Sequence, residues 1–153
     1  MANEVFDGSP VLACSKTIKD ACLTRQAFCL TQIFRPSSKG FFTFIDGHVF
    51  YEGAPGSVAS LYIDKFNFPS GLSLMAFELV NFSTHTLDCA FELVVRRIDG
   101  SVSHLTPFDL VQAKRGVFSF CEEFFSHVTE LRFSNLGAVN PTHFKMGLFM
   151  IRY

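Results

Sequence analysis

The residues best suited to chemistry in this sequence flank an Asp-Gly pair at positions 46–47, between two short aromatic runs. A two-residue turn at such a pair fixes the register of a β-hairpin, and side chains then alternate between its faces. An aromatic surface with an imidazole and a carboxylate beside it suits a sugar, which needs a flat apolar platform and a few directional hydrogen bonds. We predict that a small ligand would contact this face, which carries Phe41, His48, Phe50 and Glu52.

The opposite face of the same hairpin holds Phe42, Phe44, Val49 and Tyr51, which predict a core surface. The turn sets four cross-strand pairs: Ile45 with His48, Phe44 with Val49, Thr43 with Phe50, and Phe42 with Tyr51. Because one face already suffices as core, the aromatic side chains on the other need a cover. That cover is either a ligand or more protein, such as another sheet or the N-terminal segment. The absence of tryptophan, which is favoured for stacking on sugars, weighs against a lectin.

A second Asp-Gly pair, at positions 99–100, predicts a second hairpin. A two-residue turn there would pair Val95 with His104 and Arg97 with Val102, and would place His104 on the apolar face. A histidine in that position is usually a core residue with one satisfied hydrogen bond. Alternatively, Arg97 and His104 could mark a polar pocket at one end of the fold. The simpler interpretation of Arg97 is that its side chain passes the edge of the core and extends its charged end into water.

Sequence motifs for catalysis or metal binding are lacking. Serine, histidine and aspartate all occur, but no nucleophile elbow or comparable local signature accompanies them. Glu122-Glu123 with His127 superficially resembles a metal cluster, although the glutamates are expected in a solvated turn. No Cys-x-x-Cys occurs, and no histidine lies near the first three cysteines, so a zinc site is not expected. We predict a non-enzymatic protein without metal or cofactor.

The compartment is left open by the sequence. The first residues have neither the basic nor the apolar region of a signal peptide, so the chain is either made without export or is a mature secreted form. Cys14 and Cys22 could form a disulfide in an oxidising compartment. The triplet Asn81-Phe82-Ser83 fits a glycosylation acceptor, which matters only for a secreted protein.

The charge and the apolar runs of the sequence argue against nucleic-acid binding and against a membrane span. Charged residues make up 18% of the chain, whereas soluble domains average about 25%. The net charge of −1 leaves no basic excess for phosphates, so nucleic-acid binding is not expected. No apolar run approaches the roughly 20 residues of a membrane span.

Short apolar runs at regular spacing predict the fold. They are bounded by Gly, Pro or Asn, and no long helical period occurs between them. We predict a single all-β domain over residues 1–153, an antiparallel β-sandwich with about nine strands and an irregular N-terminal segment at about 1–26. Ten candidate runs supply these strands: Ala27–Phe34, Phe41–Ile45, His48–Tyr51, Ser57–Ile63, Leu72–Phe82, Cys89–Ile98, Ser101–Val111, Val117–Cys121, Val128–Ser134 and His143–Tyr153.

The second half of the chain resembles the jelly-roll domains of the galactose-binding-like group, which includes carbohydrate-binding modules. The resemblance rests on the runs Phe91–Val95, Gly116–Phe120, Val128–Ser134 and Phe144–Ile151. In that group the last strand often carries Asp-Asn, which helps a structural calcium site. Gly147 and Leu148 stand there in this chain, so no calcium site is expected. The resemblance implies a jelly-roll sandwich and, by analogy, carbohydrate binding.

Two functions remain open. The first is a ligand-binding module, with carbohydrate as the ligand class that the resemblance implies. The second is an interaction or assembly protein, whose Phe-rich and charge-poor surface forms a homo-oligomer or binds a host protein.

Overall fold

The computed structural model describes residues 10–14, 17–18, 21–22, 25–38, 40–45, 47–81, 91–106, 125–137 and 139–153. These residues form two large β-sheets, a short two-stranded ladder and one helical turn. The two large sheets pack face to face, so the predicted all-β sandwich is confirmed. Among the described residues there is no helix with the length and hydrophobicity needed to cross a membrane.

The first sheet is built around the last strand of the chain. Its strands are β1 (Pro10–Cys14), β4 (Arg25–Cys29), β6 (Phe42–Ile45), β7 (His48–Gly53), β9 (Ser73–Asn81) and β13 (Thr142–Arg152). One edge of β13 pairs with β9, and the other pairs first with β7 and then with β1. Only the β1 pairing is parallel among the described ladders of this sheet. The C-terminal strand therefore lies directly beside the first hairpin, β6–β7.

The second sheet is wholly antiparallel over the described residues. Its strands are β5 (Phe34–Pro36), β8 (Val58–Ile63), β10 (Glu92–Arg97), β11 (Val102–Leu105) and β12 (Val128–Ser134). They lie in the order β11, β10, β12, β8, β5. The predicted strand Val117–Cys121 lies outside the described residues, as do Phe82 and Ser83 of the glycosylation acceptor.

Aromatic rings fill the space between the sheets. Phe133 of β12 stacks on Tyr51 of β7 with ring centroids 4.3 Å apart, and it also meets Phe42 at 5.7 Å. Phe91 stacks on Phe144 of β13 at 5.4 Å. All five side chains are buried, and burying one such ring contributes about 1.5–3 kcal/mol. These ring contacts hold the two sheets together.

The N-terminal part of the chain differs from the irregular segment predicted for residues 1–26. β1 pairs with β4 in the first sheet, and β2 (Thr17–Ile18) and β3 (Ala21–Cys22) form the separate two-stranded ladder. The described part of this segment is therefore partly regular.

Cys14 lies in β1 and pairs with Arg25, whereas Cys22 lies in β3 and pairs with Thr17. The structure describes the backbone but not the side chains of these two cysteines, so the disulfide considered from the sequence stays a prediction.

The predicted strand Ala27–Phe34 is interrupted by one helical turn, α1 (Leu30–Ile33). The side-chain oxygen of Gln32 accepts a hydrogen bond from the backbone N–H of Cys29 at 2.8 Å. The i, i+3 spacing places both Leu30 and Ile33 in the core, where each is fully buried. A short apolar run fits either a strand or a helical turn, and burial of these two side chains selects the turn.

The second hairpin, β10–β11, has a longer turn than predicted. The carbonyl of Arg97 accepts from the Gly100 N–H at 3.0 Å, and the Arg97 N–H donates to the Ser101 carbonyl at 2.9 Å. The loop therefore has three residues, with Gly100 in the left-handed region at φ +87°. Asp-Gly fits this loop as well as a two-residue turn, because the last loop residue also needs positive φ.

The extra loop residue shifts the register of the second hairpin by one. His104 pairs with Val94 and Val102 pairs with Arg96, so the predicted pairs Val95–His104 and Arg97–Val102 are wrong. A shift of one residue moves a side chain to the other face of the sheet. His104 is accordingly exposed on the outer face of the second sheet, and its predicted place on the apolar face is wrong as well.

Candidate functional site

The first hairpin has the register that its turn predicted. All four predicted pairs are present, from Ile45 with His48 to Phe42 with Tyr51, and Gly47 has φ +72°. The predicted core face is buried without exception: Phe42, Phe44, Val49 and Tyr51. The mixed face points away from the second sheet, and no sheet covers it among the described residues. Phe50 and Ile45 are each 37% exposed there.

A shallow cleft lies on this outer face, at the end where β6 begins and β7 ends. Its volume is about 310 Å³. The lining combines aromatic, hydroxyl, carboxylate and imidazole groups: Gly40, Phe41, Thr43, Phe50, Tyr51, Glu52, His143 and Phe144. Three of the predicted site residues, Phe41, Phe50 and Glu52, are therefore brought together. His48 lies beside the cleft on the same face, with its ring centroid 6.4 Å from that of Phe50.

The neighbouring strand supplies polar groups that the sequence did not reveal. In the β7–β13 ladder, His143 pairs with Glu52 and Lys145 pairs with Phe50. Residues directly opposite each other in a ladder have side chains on the same face, about 5 Å apart at Cβ. His143 thus joins the cleft lining, and Lys145 shares the face of Phe50. No local signal could have found them, because their position depends on pairing between distant segments.

Tyr51 forms part of the floor of the cleft. It is buried and stacks on Phe133 across the core. Gly53 lies two residues further along β7, and a Cβ at this position would lie 1.8 Å from the Tyr51 hydroxyl oxygen. Only glycine therefore fits there without a shift of Tyr51. The Tyr51 hydroxyl is buried, and the neighbouring hydroxyls of Thr142 and Ser57 do not form a well-aligned hydrogen bond with it. Burial raises the pKa of Tyr51, and the closeness of these two hydroxyls partly opposes that effect.

Backbone and side-chain hydrogen bonds fix the end of β7 that carries the cleft. The Glu52 N–H donates to the Phe41 carbonyl at 2.9 Å. The buried side chain of Asn135 donates to the Gly53 carbonyl at 3.0 Å and accepts from the Thr142 hydroxyl at 3.0 Å. Asn135 therefore ties the end of β7 to the start of β13. This network holds the backbone next to Glu52 and His143.

The other two predicted site residues lie elsewhere. His104 is on the outer face of the second sheet, where its Nδ1 lies 2.9 Å from a carboxylate oxygen of Glu92. Arg97 lies at the end of the sandwich, beside a separate cavity of about 260 Å³ that also includes His127. The structure therefore does not bring Arg97 and His104 together in one pocket.

In the part of the chain that the structure describes, no three His, Cys, Asp or Glu residues lie together in a group that could hold a metal ion.

The comparisons with known proteins add no identity. No family model matches the chain, and neither a curated protein nor a solved structure matches it.

Proposed function

We propose that this protein is a non-enzymatic ligand-binding module, and that the cleft on the outer face of the first sheet binds carbohydrate. The observation that carries this proposal is the exposure of Phe50 in that cleft. A large aromatic ring on a sheet face, with polar groups on both neighbouring strands, is a platform that core packing does not require. The galactose-binding-like resemblance points to the same ligand class by analogy.

The chemistry of the lining fits a sugar ring. The exposed surface of Phe50 offers an apolar plane for the C–H face of a pyranose. Glu52 accepts hydrogen bonds, Thr43 both donates and accepts, and His143 does either according to its tautomer. Such groups match sugar hydroxyls, which are paired donors and acceptors. A cleft of about 310 Å³ has room for one or two sugar units, at the small end of the usual range for ligand sites.

A glycan array tests this proposal with wild-type protein and two variants. Phe50→Ala removes the platform. Tyr62→Ala is the matched control, because Tyr62 is 45% exposed on the outer face of the second sheet. We expect specific glycan signals that Phe50→Ala lowers at least about tenfold, or ~1.4 kcal/mol, while Tyr62→Ala retains them. An array without signal, or equal loss in both variants, would contradict the proposal.

A second candidate function is assembly through the same face. Ile45 and Phe50 are both exposed on it, and Phe66, in the loop between β8 and β9, is 92% exposed. Exposed apolar groups of this kind can form an interface with another copy or with a host protein. Light scattering after size exclusion separates the two functions. A monomer that binds glycans supports the module, whereas an oligomer that Phe50→Ala dissociates and that ignores glycans supports assembly.

A further inference from the structure

Two connections that carry no charge cross one end of the sandwich. The β7–β8 connection, residues 54–57, and the β12–β13 connection, residues 135–141, both run between the two sheets at the end where β8 begins. With the strand residues beside them they form the stretches 53–58 and 134–142, which we call the uncharged end. These stretches of six and nine residues contain no Asp, Glu, Lys, Arg or His, although 18% of the chain is charged. An average stretch of that total length would carry two or three charges.

Large apolar side chains are exposed at the uncharged end. Val58 is 42% exposed, Leu136 58% and Val139 75%. They are three of the nine large apolar side chains that are exposed among the described residues. Smaller or cyclic apolar residues are exposed beside them: Ala54, Pro55 and Pro141. A single exposed apolar residue is ordinary, but such a group at one end of a fold is typical of a contact surface.

Charged residues surround this apolar group. Glu52 and His143 pair in the β7–β13 ladder, one residue outside the uncharged end on the first sheet. On the second sheet, Glu92 lies opposite Ser134. An apolar centre inside a polar rim is the usual anatomy of a protein–protein interface.

The two connections are joined by Asn135, which is fully buried. Its N–H donates to the Ser57 carbonyl at 2.8 Å, and its carbonyl accepts from the Gly56 N–H at 3.1 Å. Its side-chain amide donates to the carbonyls of Gly53 at 3.0 Å and Ala54 at 3.3 Å. Because these polar groups are satisfied within the protein, an apolar partner can cover them without breaking their hydrogen bonds. The shape of the end is also set before binding, which lowers the cost of ordering it.

The lack of charge narrows the choice of partner. Contacts between different proteins commonly use complementary charges to select the partner. Segments that enter a lipid surface commonly combine Lys or Arg with Trp or Phe, and none of these four occurs in the two stretches. A second copy of the uncharged end meets the first without like-charge repulsion, and homodimer interfaces are more apolar than interfaces between different proteins.

We propose that the uncharged end is a homodimer interface, in which two copies of the chain meet around a twofold axis. A twofold interface uses the same patch on both copies, so Leu136 and Val139 lie in the contact on each side. A standard interface uses about 20–30 residues a side, more than the two stretches supply, so the dimer is weak, with a Kd of roughly 1–100 μM. Phe50 lies outside this surface, and the dimer does not depend on carbohydrate binding.

Sedimentation velocity over about 1–300 μM protein tests the proposal, a range that brackets the expected Kd. We expect wild type to change from monomer to dimer across this range. Leu136→Asp and Val139→Asp should each raise the Kd at least about tenfold, because each places two like charges in a contact without water. Circular dichroism melts check that both variants retain the fold.

Phe66→Asp and Phe50→Ala are the controls. Phe66 is 92% exposed in the loop beyond the other end of β8, and Phe50 lies on the outer face of the first sheet. Both variants should keep the wild-type Kd. Wild type that stays monomeric up to the highest concentration, or a dimer that is lost in a control and kept in Leu136→Asp, would overturn the proposal.

Mixing two charged variants tests whether the patch meets its own copy. The double variants Leu136→Asp/Val139→Asp and Leu136→Lys/Val139→Lys should each be monomeric, and an equimolar mixture should form a heterodimer because opposite charges then face each other. A mixture that stays monomeric contradicts a twofold contact. A monomeric wild type that binds phosphatidylcholine vesicles, with binding lost in Leu136→Asp, would assign the uncharged end to lipid and reject the dimer.

Discussion

Truncation of Phe50 tests whether the mixed face of the first hairpin is a surface. A fully buried phenylalanine costs about 3–5 kcal/mol when truncated to alanine, because a cavity remains. Phe50 is 37% exposed, so the variant leaves an open notch and loses only the covered part of the ring. Scaling the ~1.5–3 kcal/mol value of full burial by about two thirds predicts a loss of roughly 1–2 kcal/mol in the free energy of unfolding.

Phe44→Ala is the matched comparison on the same hairpin. Phe44 is fully buried on the core face of β6, so its truncation should cost about 3–5 kcal/mol. Urea unfolding followed by far-ultraviolet circular dichroism measures both values, which suits a chain without tryptophan. If Phe50→Ala is as destabilising as Phe44→Ala, then Phe50 belongs to the core and the cleft is not a binding surface.

Three further predictions follow from the glycines, the buried phenol and the last strand. In urea unfolding, Gly53→Ala should destabilise the protein by about 1–3 kcal/mol, because the new Cβ would overlap the Tyr51 hydroxyl. Gly100→Ala has open space around it and should lose only about 1 kcal/mol, from its positive φ. Equal losses in the two variants would contradict the close approach of Gly53 to Tyr51. Burial raises the pKa of Tyr51, so the folded state favours the neutral phenol. The folding stability that this provides is fully present below the unfolded pKa of about 10, and it is lost as the pH rises through the folded pKa. Tyr51→Phe should therefore flatten the alkaline part of a stability–pH curve, and an unchanged curve would refute this. Finally, chelators should leave the melting temperature unchanged, and a fall would reveal a structural calcium ion.

The first hairpin could be predicted residue by residue because its determinants are local. The Asp-Gly turn fixed the register, and simple alternation then separated Phe44 from Phe50 correctly. The second hairpin shows the limit of the same signal. Asp-Gly also fits a three-residue loop, and one additional residue moved His104 from the predicted core to the surface.

The rest of the cleft could not be predicted because it depends on contacts between distant segments. His143 begins the last predicted strand, and only the β7–β13 ladder brings it opposite Glu52. The buried network of Asn135 is equally non-local, since it links the end of β7 to the start of β13. Alternation in one strand shows which side chains share its face, but not which strand lies next to it.

The most direct test of the central claim is to map where a glycan binds. The glycan with the strongest array signal is titrated into isotope-labelled protein, and backbone amide shifts are recorded. We predict that the largest shifts occur at Thr43, Phe50, Glu52 and His143, on the outer face of the first sheet. Shifts centred instead on Tyr62 and the outer face of the second sheet, or on no contiguous surface, would contradict the assignment of the cleft as the binding site.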